Sequence, residues 1–210
     1  MSDLGSVCVA SGDLPDQLAE AFASAGRIGW DVETTGLDWA RDRLGTCQLF
    51  GDGVGVAVVS VGDRRPTRLM ALLEDSVIEK IFHHAPFDLR FMVHAWGVRP
   101  ASIRCTKVAS KLLEPDAPND AHSLQQLVSG HLGVTMGKGP VRTSNWAATQ
   151  LTAEQLQYAA GDVLYLPGLL DALQLRLQAA GLAELYDACC AFLPGRVALE
   201  LGGYPDVFAY

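Results

Sequence analysis

The feature that most constrains the fold is a short apolar segment, residues 27–33, in which acidic residues alternate with large apolar ones. If this segment is a strand, Asp31 and Glu33 lie on one face of it. Trp30 and Val32 then lie on the other face. Two carboxylates on one face of so apolar a strand repel each other and are costly to desolvate. A divalent cation would remove both costs, because hard cations prefer carboxylate oxygens. The alternative is an edge strand with a solvated polar face, and the pattern leaves both interpretations open.

The composition indicates one folded domain, or one domain with a small appendage. The chain has 210 residues, of which 49% are hydrophobic, so a substantial core is possible. No apolar run approaches the ~20 residues that span a bilayer, and the first residues lack the pattern of a secretory signal. The five cysteines are odd in number and scattered, which argues against a disulfide framework or a zinc site. We therefore expect a cytoplasmic protein.

The net charge of −8 argues at first against a nucleic-acid partner, since such partners attract basic surfaces. The argument is weak for an enzyme that binds divalent cations, because such ions would cancel the charge of the carboxylates that hold them. The basic residues are also uneven along the chain. Two groups lie close together in the sequence: Arg99, Arg104, Lys107 and Lys111, and then Lys138 and Arg142. A local basic rim is compatible with this pattern.

The order of predicted elements favours an α/β fold with a mixed sheet. Short β-rich runs, bounded by Gly and Asp, predict strands over residues 27–33, 45–50, 54–61 and 78–82. A helix is expected over residues 17–25 after an Asp-Leu-Pro start, another over 87–96, and mostly helices in the second half. Neighbouring strands followed by alternating strands and helices predict a sheet with helices packed on it.

A second acidic position follows the strand at residues 78–82. Asp88 falls in the first turn of a helix that begins near Pro86, where the helix dipole alone would favour an acid. His83 and His84 precede it, but no matching His or Cys pair follows at the spacing of a zinc site. Asp88 is therefore a candidate site residue with a good structural alternative.

The third acidic position lies on a helix whose start is well marked. Thr152 and Gln155 form a capping-box pattern, and Pro167 is expected to break the helix that begins there. Tyr158 and Asp162 are four residues apart, so they share one helical face. The three residues between them are small, which favours a close approach of this helix to the sheet.

Taken together, the three segments resemble the DEDD superfamily of 3′–5′ exonucleases, and specifically the ribonuclease D family with a Tyr-type third motif. The D-x-E motif matches Asp31 and Glu33, the second motif matches Asp88, and the Y-x-x-x-D motif matches Tyr158 and Asp162. His-type relatives carry a histidine five residues before the last aspartate. This chain has Gln157 there, which favours the Tyr type.

The resemblance implies a ribonuclease H-like fold and a site for two divalent cations, Mg²⁺ or Mn²⁺. It implies that Asp31 bridges both ions and that Glu33 and Asp162 hold the ion that activates water. Asp88 would support the other ion through its water shell, and Tyr158 would orient the attacking water. The expected products are nucleoside 5′-monophosphates.

The same resemblance predicts residues that contact the substrate. These residues are Thr34, Gly36, Leu37, Phe87, Lys138 and Arg142. The expected partner is the 3′ end of a single-stranded nucleic acid, with RNA trimming favoured. The exonuclease domain is expected over residues 1–178, and a helical C-terminal tail over residues 179–210, packed on the same domain or separate from it.

Three other functions were weighed. A DNA-directed, proofreading-like exonuclease shares the same motifs, so the sequence does not separate it from an RNA-trimming enzyme. A catalytically inactive binding module is disfavoured, because all four carboxylates and the tyrosine are present. A Rossmann-like nucleotide-binding protein is also disfavoured, since the alternating glycines at residues 51–55 lead into a predicted strand instead of a helix.

Overall fold

A computed structural model describes residues 7–62, 65–137, 144–148, 150–204 and 206–209 of the chain. The strands are β1 (Val7–Ser11), β2 (Arg27–Thr34), β3 (Leu44–Gly51), β4 (Gly55–Ser60), β5 (Glu79–Phe82) and β6 (Ile103–Cys105). The helices are α1 (Asp16–Ala25), α2 (Thr67–Glu74), α3 (Ala85–Trp96), α4 (Thr106–Leu113), α5 (Leu124–Leu132), α6 (Ala153–Leu164), α7 (Leu166–Ala179) and α8 (Ala183–Leu201). A short 3₁₀ helix spans Asn119–His122.

The six strands form one mixed sheet in the order β1-β4-β3-β2-β5-β6. Strands β2, β3 and β4 pair antiparallel, whereas β1 runs parallel to β4, and β5 runs parallel to both β2 and β6. This arrangement confirms the predicted α/β class and mixed sheet. Strand β2 is not an edge strand, because it lies between β3 and β5, although its pairing with β5 ends at Gly29, before the D-x-E segment.

The expected strands and helix starts are confirmed within one or two residues. Strands β1 and β6 were not predicted, since one lies near the N-terminus and the other has only three residues. Helix α6 ends at Leu164 and α7 begins at Leu166, so the helix is interrupted near Pro167, as predicted. The core fills both faces of the sheet, since the consecutive residues Val58 and Val59 of β4, which point to opposite faces, are both fully buried.

The C-terminal helix α8 packs against α3, α4 and β6. Ion pairs tie the same side of the molecule together, since Arg27 bridges Glu79 and Asp171, and Arg104 bridges Glu79 and Asp187. Arg104 also lies over the ring of the buried Tyr186, with 5.8 Å to the ring centroid. Within the described ranges, no helix combines the length and the apolar character that crossing a membrane requires.

Candidate active site

The central strand β2 presents two of the candidate carboxylates. Trp30 and Val32 are buried in the core, so their neighbours Asp31 and Glu33 face the opposite side of the sheet. The pairing of β2 with β3 shifts register between Glu33 and Thr34. Such a bulge bends a strand and re-aims the side chains at that point. The backbone of β2 is therefore irregular directly after Glu33, at the end of the strand that carries the acidic pair.

Helix α6 brings a third carboxylate to the same place. Ligand oxygens of Asp31, Glu33 and Asp162 all lie within 4.8 Å of one another. This is the spacing at which carboxylates share a cation, and oxygen-only donors suit hard divalent ions. The three residues therefore fit a divalent cation.

The position of α6 follows from caps and small residues. The predicted capping box is confirmed. The backbone N–H of Gln155 donates to Thr152 Oγ1, and the backbone N–H of Thr152 donates to Gln155 Oε1. Ala159 and Ala160 are fully buried. Gly29 of β2 completes the contact, since a Cβ atom there would lie 2.6 Å from the Val163 carbonyl oxygen. Sequence reasoning identified the alanines but missed Gly29, which no local pattern marks.

Asp88 lies behind this group of three. It is buried in the first turn of α3, and its Oδ1 accepts a hydrogen bond of 3.2 Å from the Val32 amide. The parallel pairing of β2 with β5 ends at Gly29, so Asp88 binds an amide beyond the paired segment. Asp88 is therefore adjacent to the converging carboxylates without being one of the three closest.

The electrostatics of the site are those of an uncompensated anionic cluster. Burial raises the pKa of Asp31 well above its usual range, and repulsion by the three neighbouring carboxylates raises it further. Burial likewise raises the pKa of Asp88. Burial also raises the pKa of Asp162 to about 7, although a hydrogen bond with Tyr158 opposes the shift. A bound cation would reverse these shifts, because it favours the charged form of each carboxylate.

Tyr158 lies one helical turn before Asp162, as the spacing predicts. Its ring packs on the buried Trp146, with 5.9 Å between centroids. Burial, followed by repulsion from the nearby carboxylates, raises the pKa of Tyr158 above its usual value. A tyrosine already has a pKa of about 10, so the phenol is protonated at neutral pH and can donate a hydrogen bond.

The predicted substrate contacts are only partly described. Thr34 and Gly36 are half-buried at the end of β2, where Thr34 Oγ1 donates to the Gly36 carbonyl oxygen. Leu37 is 81% exposed just beyond them. Phe87 is half-buried and packs on the core and on Phe91, with 5.2 Å between ring centroids. Lys138 and Arg142 lie outside the described residues.

The two histidines before α3 have structural roles. His83 Nδ1 lies 2.8 Å from Thr106 Oγ1, and burial lowers the pKa of His83 to about 3. His84 has a left-handed backbone with φ of 72° and precedes the first residue of α3. In the part of the chain that the structure describes, neither histidine joins a group that could hold a metal.

A cationic pocket on another side of α3 was missed by sequence reasoning. Its volume is about 480 Å³, and its charged or ionisable lining residues are His84, Arg90, Lys107, Lys111, Arg196 and Glu200. Glu200 accepts from Arg196 Nε at 3.0 Å and lies 3.3 Å from Arg90 Nη1. Burial lowers the pKa of His84, and the surrounding cations lower it further. Lys107 and Lys111 belonged to the predicted basic rim, but Arg104 points to the ion pairs with Glu79 and Asp187.

The central strand of a mixed sheet and one crossing helix thus bring three carboxylates together, an arrangement that suits hydrolysis assisted by divalent metal ions. The sequence pattern of the family described as "3'-5' exonuclease" matches residues 7–178. The chain therefore belongs to this 3′–5′ exonuclease family, and the resemblance to ribonuclease D-type enzymes is confirmed.

Individual relatives agree with this assignment. Ribonuclease D of Escherichia coli is 29% identical over 86% of this chain and 48% of its own length. Ribonuclease D of Desulfotalea psychrophila is 39% identical over 64% of this chain and 37% of its own length. The chain thus spans about half or less of the length of the curated relatives it matches.

Solved structures extend the similarity to the whole chain. Brucella melitensis NrnC is 37% identical, covers 98% of both chains and superposes with a TM-score of 0.89. NrnC has also been solved with bound Mg²⁺ and bound to pGG. Escherichia coli RNase D superposes with a TM-score of 0.76 at 26% identity, over 90% of this chain and 50% of its own. These neighbours confirm the ribonuclease H-like fold.

Proposed function

We propose that the chain is a divalent-metal 3′–5′ exonuclease that removes nucleoside 5′-monophosphates from the 3′ end of single-stranded nucleic acid, with RNA preferred. The observation that carries the proposal is the convergence of oxygens of Asp31, Glu33 and Asp162 within 4.8 Å. Family membership supports the reaction, and the ribonuclease D relatives support RNA as the substrate.

The carboxylates would hold the metal. Asp31, Glu33 and Asp162 would supply the direct ligands, and the neighbouring Asp88 would support a second ion. When bound, two cations, Mg²⁺ or Mn²⁺, supply Lewis-acid stabilisation of the charge that develops on the scissile phosphate and acidify the attacking water. Tyr158, which is protonated at neutral pH, orients the attacking water by hydrogen bonding. The bond that breaks joins phosphorus to the 3′ oxygen of the penultimate nucleotide, so the shortened strand keeps a 3′-hydroxyl.

Residues at the end of β2 contact the terminal nucleotide. The backbone at Thr34 and Gly36 faces the sugar, and the exposed side chain of Leu37 lies against a base. Phe87 packs beneath that base, and Lys138 and Arg142 contact phosphates. We assign the exonuclease domain to residues 1–178 and the C-terminal tail to residues 179–210.

The cationic pocket takes another phosphate of the substrate. Five cationic or ionisable basic side chains surround about 480 Å³ beside α3, the helix that carries Asp88. Clusters of basic side chains bind phosphate groups through charge-assisted hydrogen bonds. The structure of NrnC bound to pGG supports a short phosphorylated strand as a ligand of this fold.

All five cysteines are free thiols, which fits a reducing, cytoplasmic location.

The test is digestion of a 5′-labelled single-stranded RNA and a DNA of the same sequence, with Mg²⁺, Mn²⁺ or EDTA. We expect a metal-dependent ladder that shortens from the 3′ end, faster on RNA, and no ladder with Asp162→Asn. Circular dichroism of both proteins checks that the variant is folded. A folded wild-type protein that cleaves neither strand with either metal would contradict the proposal. Faster cleavage of DNA would keep the chemistry and reverse the substrate preference.

A further inference from the structure

The loop that joins β2 to β3, residues 35–43, displays a leucine to solvent. Leu37 is 81% exposed, four residues after Glu33. An exposed leucine on a mobile loop would contact a ligand poorly, because ordering the loop would offset the gain from the contact. The contacts within this loop therefore decide how well Leu37 can bind a ligand.

Hydrogen bonds close the two ends of the loop. The Thr35 amide donates to the Arg43 carbonyl oxygen at 3.0 Å. The Arg43 amide in turn donates to Thr35 Oγ1 at 3.0 Å. These bonds continue the pairing of β2 and β3 past the bulge, so the loop begins and ends at a fixed point beside Glu33.

The carboxylate of Asp42 fills the interior of the loop. Its Oδ2 accepts from the Asp38 amide at 2.9 Å, and its Oδ1 accepts a longer bond of 3.5 Å from Thr35 Oγ1. Gly36 lies directly against it, because a Cβ atom at Gly36 would lie 2.4 Å from Asp42 Oδ2. Asp42 thus contacts residues on both sides of Leu37.

A ring contact fixes the far side of the loop. Trp39 packs edge-on against His94, with 5.0 Å between ring centroids. His94 belongs to the last turn of α3, the helix that carries Asp88 in its first turn. The loop is therefore anchored both to the strand and to the helix that supply site carboxylates.

We infer that Asp42 is a positioning residue, which holds the 35–43 loop so that Leu37 meets the terminal base of the substrate. The inference rests on the proposed exonuclease function. Asp42 is not part of the group of carboxylates that could hold a cation, and it acts through its contacts with the backbone of Gly36 and Asp38. Loss of its carboxylate leaves the metal ligands in place and removes the fixed position of Leu37.

The test compares two substrates and four variants. For Asp42→Ala, we expect the KM for a single-stranded RNA oligonucleotide to rise about tenfold with little change in kcat, since a base contact contributes roughly that much. Hydrolysis of bis(p-nitrophenyl) phosphate, which has no base, should match the wild type. Asp42→Asn keeps an acceptor for the Asp38 amide and should restore the KM to within about twofold. Gly36→Ala should reproduce the KM rise, because its methyl group displaces the Asp42 carboxylate.

Ala40→Ser, on the same loop, is the matched control and should behave as the wild type. An unchanged KM in Asp42→Ala overturns the inference. So does an equal loss on both substrates, which would show that Asp42 supports the metal site or the fold. Wild-type protein that hydrolyses neither substrate overturns the proposed function, and this inference with it.

Discussion

Helix α3 separates two regions of opposite charge. Towards the sheet, its buried Asp88 joins the cluster formed by β2 and α6. On another side, its Arg90 lines the pocket completed by α4 and α8. The acidic cluster is built from like charges that raise one another's pKa, whereas the cationic pocket contains its own counter-charge, Glu200. A chain with net charge −8 is therefore compatible with a polyanionic substrate, because acidic and basic side chains are grouped separately on two sides of one helix.

The largest expected effect is at the acidic cluster. Asp31→Asn should reduce exonuclease activity by about 10³-fold, because a central ligand is lost. The same change should raise the melting temperature in EDTA, since it removes a partly buried carboxyl group whose charged form is disfavoured by desolvation and by three neighbouring carboxylates. Rates with Mg²⁺ and thermal unfolding in EDTA measure the two effects.

Asp52→Asn, in the exposed turn between β3 and β4, is the matched charge control for that experiment. It should change neither quantity. Lower stability of Asp31→Asn in EDTA would show that the cluster is not a strained anionic site.

The next effect is at the cationic pocket. Lys107→Ala should raise the KM for a phosphorylated oligonucleotide about tenfold, because a charge-assisted phosphate contact is lost. It should also make binding less dependent on salt, by about one unit of slope. Kinetics at several NaCl concentrations measure both. A fall in kcat at unchanged KM would instead connect Lys107 to the chemical step.

A smaller effect of opposite sign is expected at Glu200. Glu200→Gln removes the carboxylate that partly neutralises Arg90 and Arg196. The KM for the same oligonucleotide should then fall about threefold, since each partly exposed ion pair contributes modestly. Glu184→Gln, at the exposed start of α8, is the control. A rise in KM would show that Glu200 mainly aligns the arginines.

The smallest effect concerns pH in the absence of metal. The pKa of Asp162 is about 7 in the folded protein and about 3.9 in the unfolded chain. The folded state therefore binds more protons between those values, so stability decreases as the pH rises through this window. We expect the melting temperature in EDTA to be about 5 °C lower at pH 8 than at pH 5. Asp162→Asn should reduce this dependence without removing it, because the pKa values of Asp31 and Asp88 are raised as well. An identical slope in that variant would assign the dependence to other groups.

The sequence predicts which strands and helices carry the site residues better than it predicts how those elements pack together. Period-two alternation placed Asp31 and Glu33 on one face, and the four-residue spacing placed Tyr158 with Asp162. That Asp88 would bind the Val32 amide was beyond local patterns, because the contact spans 56 positions of the chain. Strand β6 was missed because three residues are too few to show alternation.

The cationic pocket shows the same limit more strongly. Lys107 and Lys111 are neighbours on α4, and the sequence marked them as a basic group. Arg90 and Arg196 join them only after α3 and α8 pack together, so no window of the sequence contains the pocket. The local basic group also included Arg104, whose ion pairs serve the packing of α8 instead.

The close packing at Gly29 has a consequence for the choice of metal. With no side chain at that position, the Val163 carbonyl of α6 lies directly on β2, so one missing methyl group sets the distance between Asp162 and the carboxylates of the strand. Mg²⁺ demands short oxygen contacts of about 2.1 Å, whereas Ca²⁺ accepts about 2.4 Å. Gly29 therefore limits how far Asp162 can lie from the carboxylates of β2. We expect a methyl group at this position to push α6 outwards and to favour ions larger than Mg²⁺.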